Sequence, residues 1–136
     1  MHLGTNDVVY GQSITSILAA FTTLVQQMRA SNANIKIIVA QIIPISYAQW
    51  NTGNIALNAA IPSWASGLNS TASPIFVVDQ YDGFDASTDL RDGIHPNTAG
   101  DTKTAAKWYP ALVQAINLVT QEAEQSGKRE VEFVAY

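Results

Sequence analysis

Asp92 and His95 stand three residues apart in segment 92–97, which reads Asp-Gly-Ile-His-Pro-Asn. Gly93 permits a tight turn between them, and Pro96 restricts the backbone of His95. A carboxylate that accepts a hydrogen bond from one imidazole nitrogen fixes the tautomer and leaves the other nitrogen free as a base. A serine nucleophile requires such a pair, although the same spacing also occurs in structural contacts between a loop histidine and an aspartate.

A second polar segment, 4–7, reads Gly-Thr-Asn-Asp and follows a short apolar stretch at the start of the chain. Asn6 in such a segment is either a turn residue or a side-chain donor. Ligands of open parallel sheets bind at the carboxyl ends of the strands. We therefore expect segment 4–7 and the loop that carries His95 to lie near each other, together with the segment after Pro44.

The elements that position these residues alternate between helix and strand. Apolar residues at intervals of three and four predict a helix over 13–30, with Ser13 as its N-cap. β-branched, apolar runs predict strands over 35–45 and 74–79, in addition to a first strand at Met1. Further helices are predicted over 52–68, with Pro62 at a kink or a new first turn, and from Thr98 to Gly127, with Asp101 at capping-box spacing. This order indicates an α/β fold with a parallel sheet.

The composition excludes several classes of protein. The 136 residues include 47% hydrophobic residues, enough for the core of one domain. Seven basic and eleven acidic residues give a net charge of −4 without a basic cluster, so we expect no nucleic-acid partner. No apolar run is long enough to predict a membrane span. The absence of cysteine excludes disulfides, zinc–thiolate sites and thiol nucleophiles.

Segments 4–7 and 92–97 resemble two conserved blocks of the SGNH, or GDSL-type, hydrolases. Three further segments resemble the fungal, acetylxylan-esterase-like branch of that family, carbohydrate esterase family three; they are 42–44, 50–54 and 59–62. The resemblance covers roughly residues 1–118. It implies a three-layer, flavodoxin-like parallel sheet with strand order two-one-three-four-five.

The resemblance also implies roles for individual residues. His95 would act as the general base and then as the acid that protonates the leaving alcohol, and Asp92 would orient it. Asn6 would donate its side-chain amide to the oxyanion of the tetrahedral intermediate, with Gly4 beside it in the oxyanion hole. Neither a metal nor an organic cofactor is required by that chemistry.

In the family pattern, a block with the nucleophilic serine precedes the strand that leads into segment 4–7. This chain begins at that strand. We therefore expect the first two strands of the sheet to be missing and the Met1 strand to form an open edge. The nucleophile is unknown. Ser13 lies in a Gly-Gln-Ser-Ile-Thr segment that looks like the serine block, but an N-cap role is favoured, and a structural role is favoured for Ser46.

Three other features have both a functional and a structural interpretation. Five aspartates between residues 79 and 92 form either a calcium site or, as we favour, a solvated loop. Trp50 and Trp64 either stack on sugar rings or pack in the core. We assign residues 1–120 to the C-terminal portion of the hydrolase domain and residues 121–136 to a helix end and tail.

The sequence thus predicts a serine esterase that removes acetyl groups from a carbohydrate such as xylan, present as a fragment without its serine block. The substrate would be an acetylated carbohydrate or small ester, and family resemblance implies secretion. The alternative is an inactive remnant that binds carbohydrate or pairs with another chain through its open strand edge.

Overall fold

The computed structural model describes residues 1–134, with side chains described as far as residue 125. The elements are α1 (Thr5–Val9), α2 (Ile14–Ser31), β1 (Ile37–Gln41), α3 (Ala48–Leu68), β2 (Ile75–Asp79) and α4 (Thr98–Val134). No helix in the described part of the chain is long and apolar enough to cross a membrane.

The two strands form a parallel pair in which Ile37 lies opposite Ile75 and Gln41 lies opposite Asp79. Helix α3 connects them and packs against both strands and against α2. Side chains alternate between the two faces of a strand. One face is buried under α2 and α3, where Phe21, Val39 and Leu57 belong to the main apolar cluster.

The opposite face of the sheet is covered by α4, which packs against both strands. Ala40, Val78 and Ala115 are buried there, outside the main cluster. The result is a layer of helices on each side of the sheet, as the predicted α/β class requires.

The prediction of a complete strand at Met1 is wrong, because the sheet of the described residues contains only the two strands β1 and β2. The Met1 amino group donates to the Ile38 carbonyl at 2.5 Å, and the Ala40 N–H donates to the Met1 carbonyl at 2.8 Å. These bonds extend the sheet by a single residue on the side away from β2. The pairing ends there because the chain turns at Gly4, which has φ +116°, into α1.

Helix α2 and its N-cap at Ser13 confirm the prediction from the sequence. Helix α3 begins at Ala48, four residues earlier than predicted, and contains Pro62 in its interior. Helix α4 continues through Gly127 to Val134, so the predicted end of the helix at Gly127 is wrong. A single glycine costs a helix only about 1 kcal/mol and does not by itself end one. Residues 135–136 lie outside the described part of the chain.

Candidate active site

The Asp92–His95 pair is formed as the sequence predicts. The imidazole Nδ1 of His95 lies 2.8 Å from Oδ2 of Asp92. The other ring nitrogen, Nε2, has no hydrogen-bond partner among the described residues. A carboxylate at Nδ1 favours the tautomer that carries its proton there, which leaves the Nε2 lone pair able to accept a proton.

The backbone of the loop holds this pair in place. The second carboxylate oxygen of Asp92 accepts the backbone N–H groups of Ile94 and His95, at 3.0 and 2.8 Å. Gly93 between them has φ +85°, a conformation that favours glycine. The Ser46 N–H donates to the Gly93 carbonyl at 2.9 Å and ties the loop to the segment that follows β1. The local turn therefore sets the carboxylate and the imidazole at bonding distance.

These hydrogen bonds lower the pKa of Asp92 well below its ordinary value. The largest cause is the backbone N–H of His95, followed by the His95 side chain and the backbone N–H of Ile94. Each of them stabilises the charged form of the carboxyl. Asp92 is therefore a charged carboxylate at neutral pH.

A carboxyl whose pKa is lower in the folded than in the unfolded chain stabilises the fold above the unfolded pKa, about 3.9 for Asp. We expect this contribution of Asp92 to be lost progressively as the pH falls below about 4, toward the folded pKa. A carboxyl-detected NMR titration measures that pKa directly, and Asp92→Asn should remove this part of the pH dependence of unfolding. An Asp92 midpoint near 3.9 would contradict the expectation.

Gly4 and Asn6 do not lie in a simple turn, because the segment is the start of helix α1. Gly4 is its N-cap, and its backbone packs so closely on Leu57 that an added Cβ would lie 2.4 Å from the Leu57 Cδ2. Asn6 is exposed, and its side-chain amide makes no hydrogen bond to any other described residue. The close packing at Gly4 thus fixes the start of the helix that presents the free Asn6 amide.

One open cleft of about 580 Å³ brings the predicted residues together. Gly4, Asn6 and His95 line its wall, whereas Asp92 lies behind His95 and outside the lining. The other residues of the lining are His2, Leu3, Thr5, Asp7, Ile43, Ile94, Pro96, Asp101, Thr104, Ala105 and Trp108. No serine is among them.

Two of the lining residues, His2 and Trp108, were not predicted as site residues. Their rings meet edge to face with centroids 6.5 Å apart. Burial lowers the pKa of His2, and the positive charge of the neighbouring N-terminal amino group lowers it further. Trp108 lies on α4, on the face of the helix that contacts the start of the chain. Nothing in the local sequence signals that this face meets the first residues of the chain.

Ser13 and Ser46, the two serines considered as nucleophiles from the sequence, make structural hydrogen bonds. Ser13 accepts the Ser16 N–H at 3.1 Å as the N-cap of α2. Ser46 donates its hydroxyl to the Ala86 carbonyl at 3.0 Å. Neither of them lines the cleft.

Replacing Ser13 by alanine should therefore lower the free energy of unfolding by about 1 kcal/mol, because one backbone N–H at the start of α2 loses its acceptor. Urea denaturation measures this change, and Ser66→Ala, at an exposed serine within α3, is the matched control. Ester hydrolysis should not change in Ser13→Ala. Loss of all turnover in a folded variant would instead identify Ser13 as a nucleophile.

Four of the five aspartates of the loop accept hydrogen bonds with their side chains. Asp79 accepts the backbone N–H groups of Tyr81 and Asp82, at 2.8 and 3.0 Å. Buried Asp89 accepts the Asp85 N–H at 2.7 Å and the Lys103 ammonium at 2.6 Å. Within the described residues, no group of three or more acidic or histidine side chains is placed to hold a metal ion. These bonds favour the solvated-loop interpretation over the calcium site.

The two tryptophans that the sequence singled out differ in their surroundings. Trp64 donates its indole N–H to Thr22 at 2.9 Å and packs edge to face on Phe21, so it belongs to the core. Trp50 is half-buried and lies beside Tyr47, with ring centroids 5.1 Å apart.

The fold agrees with the comparisons to known proteins. The GDSL-like lipase/acylhydrolase family matches residues 1–103, and the chain belongs to this family. The resemblance to SGNH hydrolases is thereby confirmed. No curated protein sequence matches the chain at a significant level.

Two solved structures show which members of the family the chain is similar to. One is a serine-to-alanine mutant of an acetyl esterase with an acetate ion, with 38% identity and a TM-score of 0.79 over 86% of this chain. Another is a carbohydrate esterase of family 3 from Talaromyces cellulolyticus, with 37% identity and a TM-score of 0.78 over 85% of this chain. This chain spans 57% and 56% of their respective lengths.

Proposed function

We propose that this chain supplies the general base and an oxyanion donor of a serine esterase that removes acetyl groups from carbohydrates. The observation that carries the proposal is the Asp92–His95 pair, whose imidazole lines the same cleft as the unpaired amide of Asn6. A base and a hydrogen-bond donor on one cleft are the parts that acyl transfer requires besides a nucleophile.

In the proposed reaction, Nε2 of His95 removes the proton of a serine hydroxyl as its oxygen attacks the ester carbonyl carbon. The carbonyl oxygen becomes an oxyanion that accepts a hydrogen bond from Asn6. The imidazolium, stabilised by Asp92, then protonates the leaving alcohol, and an acyl-serine remains. Water attacks the acyl-serine in the same way, with His95 again as the base, and acetate is released.

The nucleophilic serine is not assigned to a residue of this chain. No serine lines the cleft, and the similar structures are longer than this chain. We propose that the serine corresponds to the part of the longer, similar structures that this chain does not cover. The proposed role of Asn6 does not depend on this assignment. Loss of one oxyanion donor typically lowers kcat about 10²–10³-fold.

The similar structures support acetylated carbohydrate, xylan included, as the substrate class. One is described as an acetyl esterase and the other as a carbohydrate esterase. The chain's net charge of −4 is compatible with an uncharged polysaccharide. Because such polysaccharides occur outside the cell, we propose that the protein is secreted.

A second candidate function is a non-catalytic remnant that binds carbohydrate in the same cleft. The absence of a serine from the cleft lining favours it. A related candidate is an enzyme assembled from two chains, favoured by the single-residue pairing of Met1 with β1, which leaves the outer edge of the sheet open to another strand.

Acetate release by the purified chain separates these candidates. The substrates are 4-nitrophenyl acetate and acetylated xylan, and the mass of the protein in solution is measured under the same conditions. Turnover by a monomer would support ester hydrolysis but contradict the assignment of the nucleophilic serine to a part of the fold outside this chain, whereas turnover by an assembled species alone supports a site built from two chains. A folded chain without turnover in any state would contradict catalysis by this chain and leave the binding function.

A further inference from the structure

Two aromatic side chains lie together at the start of α3, outside the cleft. Tyr47 and Trp50 have ring centroids 5.1 Å apart and ring planes inclined by 58°. The Tyr47 side chain is substantially uncovered, with 40% of the residue exposed, and Trp50 is half-buried. We call this pair the aromatic platform.

The platform is held in position by its neighbours. An added Cβ at Gly93 would lie 3.2 Å from the Tyr47 ring, so the ring packs directly on the backbone of the loop that carries His95. Trp50 lies in the first turn of α3, where its backbone N–H donates to the Tyr47 carbonyl at 3.0 Å. A ring that is fixed before binding loses little conformational freedom when a ligand covers it.

The platform is close to the candidate catalytic base. Gly93, which Tyr47 contacts, is two residues from His95, and two residues span at most about 7 Å. The neighbouring Ser46 donates its hydroxyl to the Ala86 carbonyl and its backbone N–H to the Gly93 carbonyl, so hydrogen bonds tie the segment that carries the platform to the loop that carries the base. A ligand that covers Tyr47 therefore lies within reach of the cleft.

The chemistry of the platform suits a sugar ring. Tyr and Trp offer a broad apolar face beside a polar group, and only two side-chain dihedral angles have to be fixed in each. A pyranose presents a C–H face and a rim of hydroxyl groups. The exposed hydroxyl of Ser46 and the exposed amide of Gln49 lie next to the rings in sequence and provide polar partners for that rim.

We propose that Tyr47 and Trp50 form a sugar-binding subsite that holds one pyranose ring of a carbohydrate chain while an acetyl group on that chain enters the cleft at His95. The inference rests on the proposed function for its substrate class. It assigns carbohydrate recognition to residues that take no part in the chemistry. Small acetate esters, which have no sugar ring, do not use this subsite.

Binding of unacetylated xylohexaose to the purified chain tests the proposal without requiring turnover. In Tyr47→Ala we expect the dissociation constant to rise about tenfold, as for the loss of an aromatic contact. Tyr47→Phe should bind like the unchanged chain because it keeps the ring. Tyr109→Ala, at a tyrosine that is 68% exposed on α4, is the matched control and should also bind normally.

A second readout needs no variant and locates the ligand. Adding xylohexaose should shift the NMR signal of the Trp50 indole N–H and leave that of the core residue Trp64 unchanged. Absence of saturable binding, an unshifted Trp50 signal, or an equal loss in Tyr109→Ala would each overturn the proposal.

The two proposals fail independently. Sugar binding that depends on Tyr47, in a chain without ester turnover, supports the subsite and contradicts ester hydrolysis by this chain alone. Turnover of 4-nitrophenyl acetate by a chain that does not bind xylohexaose supports the esterase and overturns the subsite.

Discussion

In the molecular species that hydrolyses 4-nitrophenyl acetate, His95→Ala is expected to lower kcat/KM by about 10²–10⁴-fold, the range typical for loss of a general base. His95 lines the cleft, and its Nε2 is free to accept a proton because its Nδ1 lies 2.8 Å from the Asp92 carboxylate. Asp92→Asn should cause a loss of similar size, because an amide does not hold the productive tautomer as the carboxylate does.

The matched control is Asp82→Asn, which removes an exposed carboxylate from the same loop. It should leave turnover unchanged. Circular dichroism and thermal melting show whether each variant is folded. Unchanged turnover in a folded His95→Ala variant would contradict the assignment of the base, and the proposed mechanism would be wrong.

Asn58→Leu is expected to lower the free energy of unfolding by about 2–5 kcal/mol, since two buried backbone groups lose their partners. The buried Asn58 side chain accepts the Ile42 N–H at 2.6 Å and donates to the Ile42 carbonyl at 2.8 Å. Ile42 directly follows β1, so this side chain takes the place of a neighbouring strand. Leucine has a similar size but can make neither hydrogen bond.

Urea denaturation of the purified chain measures this change. Asn117→Leu, at an exposed asparagine of α4, is the matched control and should change stability by no more than about 0.5 kcal/mol. A loss for Asn58→Leu as small as that of the control would show that the Ile42 backbone groups find other partners.

Features that depend on neighbours in the sequence were predicted well. The Asp92–His95 contact closes over three residues, and the Ser13 cap bonds a residue three positions later, so residue type and spacing were sufficient. The buried strands were recognised because they are apolar and β-branched throughout. Boundaries were less accurate. Helix α4 passes through Gly127 because the glycine signal for a helix end is weak.

Features that depend on distant parts of the chain were not predicted. The sequence indicated a helix over 52–68 but not that Asn58 bonds the backbone of Ile42, sixteen residues away. It did not place His2 against Trp108, or the Tyr47 ring on Gly93. The sequence by itself determined the local Asp92–His95 pair and the elements that flank it. Only the tertiary structure decided what surrounds that pair, because contacts between distant segments form only when the elements pack together and leave no periodic or local pattern in the chain.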